Sequence, residues 1–153
     1  MTCTVVRERE WVDGELEEDT LDWFAQDVDG NVWYFGEDSK EIDEGVVVST
    51  EGSWEAGVDG AQPGILMKGT PQIGDTYRQE YYFGEAEDMA SVVSLNASVT
   101  VPFGTFTNCL QTEEWTPLEP GVTEYKYYAP GVGLLLEEQV EGGDARVELV
   151  EIR

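Results

Sequence analysis

Apolar and polar residues alternate in short runs along this chain, and each run ends at a turn signal. The clearest is Ser94-Leu95-Asn96-Ala97-Ser98-Val99-Thr100-Val101, with apolar side chains at every second position. That is the period of a strand that buries one face and wets the other. Comparable runs predict strands over 2–12, 15–26, 31–36, 45–53, 76–83, 91–101, 105–114, 122–128, 133–141 and 145–152. Asp-Gly stands at the turn in Val12-Asp13-Gly14-Glu15, Val28-Asp29-Gly30-Asn31 and Val58-Asp59-Gly60-Ala61. Asp-Gly accepts the positive φ of a type I′ hairpin turn, so the first two join 2–12 to 15–26 and 15–26 to 31–36. The third lies in a looser Gly/Pro stretch. Residues 84–90 predict the one short helical turn. The expected fold is all-β, a single strongly curved antiparallel sheet or an incomplete β-barrel, built as one domain over 1–153.

Composition supports this picture. Valine outnumbers leucine 18 to 10, and 12 threonines add to the β-branched excess. Five tryptophans and seven tyrosines argue against disorder. A chain of 153 residues buries roughly 70% of the surface exposed when unfolded, which is enough for a core without staples. No stretch reaches the roughly 18 apolar residues of a membrane helix, and Met1-Thr2-Cys3-Thr4-Val5-Val6 lacks a basic-then-apolar export signal. The chain starts within a strand-like run, so the expectation is an exported protein seen without its signal. Cys3 and Cys109 either close a loop of about a hundred residues or stay separate thiols.

Charge and missing residue types narrow the chemistry. With 33 acidic and 8 basic side chains the formal charge is -25, which excludes nucleic acid as a partner because phosphate backbones are bound by clustered Lys and Arg. The absence of histidine removes Ser-His and Cys-His nucleophiles and imidazole metal ligands.

Asp27-Val28-Asp29-Gly30-Asn31 imitates the start of a calcium loop, making Asp27, Asp29 and Asn31 the candidate metal ligands and calcium the only cofactor suggested. The sixth and twelfth loop positions hold Val32 and Asp38 instead of Gly and Glu, so a hairpin turn is the leading reading. Adjacent acids such as Glu17-Glu18, Glu37-Asp38, Glu113-Glu114 and Glu137-Glu138 suit a glycoside hydrolase or cyclase if two carboxyls stand about 5 Å or about 6.5–9.5 Å apart. Neighbours on a strand face opposite sides, however, and a solvated surface explains them. Gly131-Val132-Gly133 lacks the lysine and helix of a phosphate loop, and Asn96-Ala97-Ser98 fits a glycosylation sequon.

Trp23-Phe24, Trp33-Tyr34-Phe35, Tyr81-Tyr82-Phe83 and Tyr125, Tyr127 and Tyr128 set rings on both faces of their strands. Ordinary core and cross-strand pairing is the leading reading of these rings; the alternative is that inner rings form core and the surplus lines a cavity or groove for a small apolar or carbohydrate ligand. Trp33, Trp54, Tyr82 and Tyr127 are the candidate ligand residues, with Trp54 at the wet edge.

Val101-Pro102-Phe103-Gly104-Thr105-Phe106-Thr107-Asn108-Cys109-Leu110, followed by Tyr127-Tyr128-Ala129-Pro130-Gly131-Val132-Gly133-Leu134, resembles a group of bacterial cell-envelope and lipoprotein-like proteins of uncharacterised activity. Residues 23–36 and 52–82 are similar to the same group more loosely. The resemblance implies a curved sheet or incomplete barrel like the LolA/LolB lipoprotein carriers, and a periplasmic, cell-surface or secreted location. It brings no catalytic residues. Such proteins usually carry one or two further N-terminal strands, so an exposed edge is left for a partner strand or a homo-oligomer. The expected function is a non-enzymatic, exported, acidic binding or envelope-associated protein. A carboxylate-based enzyme and a calcium-binding or salt-adapted structural protein are the alternatives.

Overall fold

The computed structural model describes residues 2–153, which form antiparallel sheet and no helix. The strands are β1 (Thr4–Val12), β2 (Glu15–Gln26), β3 (Val32–Asp38), β4 (Glu41–Asp43), β5 (Val46–Ser49), β6 (Trp54–Glu55), β7 (Gln62–Met67), β8 (Thr76–Arg78), β9 (Glu80–Tyr81), β10 (Met89–Val101), β11 (Gly104–Trp115), β12 (Thr123–Ala129), β13 (Gly133–Glu141) and β14 (Arg146–Glu148). One sheet runs β5-β4-β2-β3-β7-β9, with β1 added on β2 and β6 on β3; the other runs β14-β13-β12-β11-β10-β8. Neither closes into a barrel. The sequence predicts one strongly curved antiparallel sheet or an incomplete barrel, and the tertiary structure distributes the antiparallel strands over two sheets and two compact units. The first unit holds residues up to Thr70 with Arg78–Glu87, and the second Pro71–Tyr77 with Asp88–Arg153.

Local chemistry sets the hairpins. Asp13 and Gly14 take φ of 53° and 89° between the paired residues Val12 and Glu15, the expected type I′ turn. Asp59 and Gly60 repeat it at 49° and 89°. At Asp29-Gly30 only Gly30 has positive φ, and the Gly30 N–H donates to the Asp27 carbonyl at 3.1 Å, so this turn is a longer loop ending in a left-handed glycine. The helical turn expected over 84–90 is replaced by a miniature hairpin. Tyr82 and Ala86 exchange backbone hydrogen bonds of 2.6 and 2.9 Å around Gly84, and β10 then starts at Met89.

Each unit has its own core. In the first, Tyr34, Trp54, Ala61 and Ala86 are buried, with Phe24, Ala56, Leu66 and Tyr82 packed on them. The Phe24 ring stacks on Tyr34 with centroids 5.0 Å apart, and Trp54 meets Tyr34 edge-on at 5.4 Å, the offset and T-shaped geometries that ring quadrupoles favour. In the second, Val99, Val101, Cys109, Ala129, Leu135 and Leu136 are buried together. Val99 and Val101 face inward and Ser98 and Thr100 outward, as the alternation requires. Leu95 departs from it because the β10–β11 register slips between Ser94 and Ala97.

Candidate functional site

The ligand candidate is an open groove on the first unit. Val5 pairs with Trp23 across β1 and β2, so both side chains stand on one face of the sheet while Phe24 points to the core. On β3 the buried Tyr34 faces the core, which turns its neighbour Phe35 to the side of Trp23. β6 is held against β3 by the pairing of Gly36 with Glu55 and by the Ala56 N–H donating to the Phe35 carbonyl at 2.9 Å. Only glycine allows that approach. Gly36 has φ of 125°, and a Cβ there would lie 2.1 Å from the Trp54 carbonyl oxygen.

Two hollows result. One, of about 660 Å³, is lined by Thr2, Cys3, Val5, Trp23, Phe35, Glu55 and Ala56. The other, of about 280 Å³, is lined by Trp23, Glu37, Asp38, Ser53, Trp54 and Glu55. They share Trp23 and Glu55. The larger falls within the roughly 300–1,000 Å³ of small-molecule sites. Its walls combine the Trp23 and Phe35 rings, Val5 and Ala56 with the polar side chains of Thr2, Cys3 and Glu55, and its neighbour adds Glu37, Asp38 and Ser53. The Ser53 Oγ accepts from the Ser39 N–H at 2.9 Å and donates to the Ser39 carbonyl at 3.1 Å, which fixes the loop that carries it. Asp38 is paired with Lys40.

The sequence candidates lie elsewhere, with one exception. Trp54 does line the smaller hollow, but its expected place at a wet edge is corrected: only 4% exposed, it packs edge-on to Tyr34, and its Nε1 donates to Glu80 Oε2 at 3.0 Å. Burying the ring contributes more than wetting it. Trp33 is half-buried on β3 and donates from Nε1 to Asp27 Oδ2 at 2.8 Å. Tyr82 packs against the first core. Tyr127 belongs to the second unit, where its hydroxyl donates to Glu138 Oε1 and accepts from Gln111 Nε2, both at 3.1 Å. Val5, Trp23, Phe35 and Glu55, which line the larger hollow, are not among the ligand candidates read from the sequence. The Trp23-Phe24 pair signalled that one of two rings must face outward, but alternation alone does not say which.

The Asp27 carboxylate is held by its own loop. Oδ1 accepts from the backbone N–H groups of Asp29 and Asn31, each at 2.9 Å, and Oδ2 accepts from Asn31 Nδ2 and Trp33 Nε1, each at 2.8 Å. The Trp33 and Asn31 donors bring its pKa down to about 2. Among the described residues no group of three or more His, Cys, Asp or Glu is arranged to hold a metal ion. Cys3 and Cys109 are free thiols.

A separate hollow in the second unit, of about 150 Å³, is lined by Asp88, Glu114, Trp115, Thr116, Glu119, Val122, Glu124 and Lys126. The Lys126 ammonium lies 3.2 Å from Glu114 Oε2 and 3.3 Å from Glu137 Oε2. Burial disfavours its charge, but Glu114, Tyr128 and Glu137 outweigh that and raise its pKa. Desolvation, reinforced by Glu137, pushes the half-buried Glu124 carboxyl up. Asp88 is exposed as a residue, yet its carboxyl is pushed the same way by desolvation, against a hydrogen bond with Thr116. No family model, curated protein or solved structure matches this chain.

Proposed function

We propose that this chain is a non-enzymatic binding protein that holds a carbohydrate in the Trp23 groove, and that it acts outside the cytoplasm in the bacterial envelope. The observation that carries the binding reading is the sharing of one ring, Trp23, and one carboxylate, Glu55, by both hollows. A sugar has apolar C–H faces that stack on such a ring and hydroxyls that donate to such carboxylates. A purely apolar ligand would strip water from Glu37, Asp38 and Glu55 without replacing their hydrogen bonds. The envelope setting is supported by the resemblance carried by residues 101–110 and 127–134. The test is a calorimetric and fluorescence titration with a panel of disaccharides. Saturable binding by the wild type that Trp23→Ala weakens at least tenfold is expected; binding untouched by that change places the site elsewhere.

The second-unit hollow favours a second reading, a carboxylate-based hydrolase. Its Glu124 and Asp88 carboxyls are held above their ordinary pKa, as a general acid requires, and Trp115 stands beside them. Hydrolysis of aryl glycosides that is lost in Glu124→Gln or Asp88→Asn supports it, and no turnover by the wild type rejects it.

A further inference from the structure

The second sheet ends at β14, which pairs only with β13 among the described residues. The Gln139 N–H donates to the Ala145 carbonyl at 2.9 Å, and the Leu149 N–H to the Leu135 carbonyl at 2.8 Å, so the odd-numbered residues of this segment bond inward. Backbone groups alternate in direction along an antiparallel strand, which turns the N–H and C=O of Arg146 and Glu148 to the open side. Val147 stands between them, 59% exposed. Val150, Ile152 and Phe103 extend the exposed apolar surface past the end of the strand, the Phe103 N–H donating to the Leu149 carbonyl at 3.1 Å. Such an edge is a template for a further strand.

We infer that the strand added there is β14 of a second copy of this chain, paired antiparallel about a two-fold axis at Val147. A two-fold axis normal to the sheet keeps each residue on its own face, and opposite residues of an antiparallel pair share a face, so residues of like parity meet. Centred on Val147, this register sets Arg146 of each copy opposite Glu148 of the other. Those are the positions whose backbone groups face outward, so backbone hydrogen bonds and opposite charges are matched in one register. Val147 meets Val147 at the non-hydrogen-bonded position between them, where side chains approach most closely. Within one chain the Arg146 guanidinium already lies 2.6 Å from Glu138 and 2.9 Å from Glu148, one cation for two carboxylates. In the pair each guanidinium stands between Glu138 of its own chain and Glu148 of the other. The edges at β1 and β5 lack this self-complementarity. In β1 the arginines Arg7 and Arg9 are odd and the glutamates Glu8 and Glu10 even, so no two-fold register sets one against the other. β5 is Val46-Val47-Val48-Ser49, with no charge to fix a register. The short β14 edge buries less than a standard interface, so the dimer is weak and concentration-dependent.

The experiment is sedimentation equilibrium of the full chain over a wide range of concentration, at about 0.15 M salt, where a screening length of about 8 Å limits repulsion between chains of charge -25. The wild type is expected to populate a monomer–dimer equilibrium. Arg146→Glu and Glu148→Arg each turn both cross-strand pairs from opposite to like charge, and each alone should weaken the dimer at least about tenfold. Mixed in equal amounts, the two variants should associate again, because carboxylates at both positions of one then face guanidiniums at both positions of the other. As a second measurement, Val147→Cys in a Cys3→Ser background should oxidise to a linked dimer, since the axis brings the two thiols together, and should do so faster than Val140→Cys on β13. A wild type that stays monomeric at every concentration, single variants that dimerise as the wild type does, a mixture that does not associate, or linkage no faster at Val147 than at Val140 overturns the inference. So does a dimer that Val47→Lys dissolves, which places the contact at β5.

Discussion

The Asp27 carboxylate accepts the indole N–H of Trp33 at 2.8 Å, and three more donors from Asp29 and Asn31 complete its shell. A carboxylate is thereby committed to closing the β2–β3 loop and to orienting a half-buried ring. Its pKa of about 2 lies below the ordinary Asp value of about 3.9. The charged form is therefore favoured by folding, and its contribution is full above about pH 4 and is lost as pH falls towards 2. Asp27→Ala should lower the melting temperature at pH 7 and flatten the acid limb of the stability profile between those values. An unchanged limb would mean that the shell does not hold in solution.

The same shell bears on calcium. Coordination by Asp27 would require its oxygens to give up four N–H donors. Thermal melts at matched ionic strength in EDTA, calcium and magnesium should therefore shift together and grow smoothly with salt, as screening of a chain of charge -25 predicts. A saturable rise with calcium alone would establish a specific site.

Gly36 admits β6 beside β3, and β6 carries Trp54 and Glu55. Gly36→Ala places a Cβ on the Trp54 carbonyl, so it should cost at least about 2 kcal/mol, as strain and clash at a left-handed glycine generally do. Because Trp54 and Glu55 line the groove, saccharide binding should fall in the fraction that stays folded. A variant of wild-type stability and affinity would show that β6 can shift without consequence.

Lys126 pairs with Glu114 on β11 and Glu137 on β13, tying three neighbouring strands. Its side chain is 25% exposed, so Lys126→Ala should cost about 2 kcal/mol, short of the ~3–5 kcal/mol of a fully buried broken pair. Glu124 acts in the other direction. Its folded pKa is raised, so its ionised form opposes folding above that value, and the cost is relieved as pH falls through it towards the ordinary carboxyl range. Glu124→Gln should stabilise the protein at neutral pH and remove that part of the pH dependence, as read by urea melts at several pH values.

Cys109 is fully buried, and burial pushes its thiol up, whereas Cys3 lines the open groove. A thiol reagent should modify Cys3 rapidly in the native protein and Cys109 only on unfolding. Addition of the panel sugar that binds should slow the first reaction. Two fast thiols, or a Cys3–Cys109 disulfide in the purified protein, would contradict this arrangement.

Much of the architecture was legible because it is local. Period-two alternation set Val99 and Val101 inward, and Asp13-Gly14 and Asp59-Gly60 turn as backbone sterics require of those pairs. β4 and β7 were not legible: β4 has three residues, and β7 carries Pro63 and Gly64, so their pairing comes from neighbours and not from their own pattern. The groove was legible only as a surplus of rings. Trp54 became core because Tyr34 and Glu80 meet it from distant points of the chain, and Trp23 became surface because Phe24 took the inner side.

The sequence by itself therefore determined the all-β class, the Asp13-Gly14 hairpin turn and the acidic charge, each of which follows from nearest-neighbour sterics or from counting charge. Only the tertiary structure decided the division into two sheets and the choice of Val5, Trp23, Phe35 and Glu55 as the groove. Those outcomes depend on which strand lies beside which, and strand pairing is a relation between distant residues that no local pattern contains.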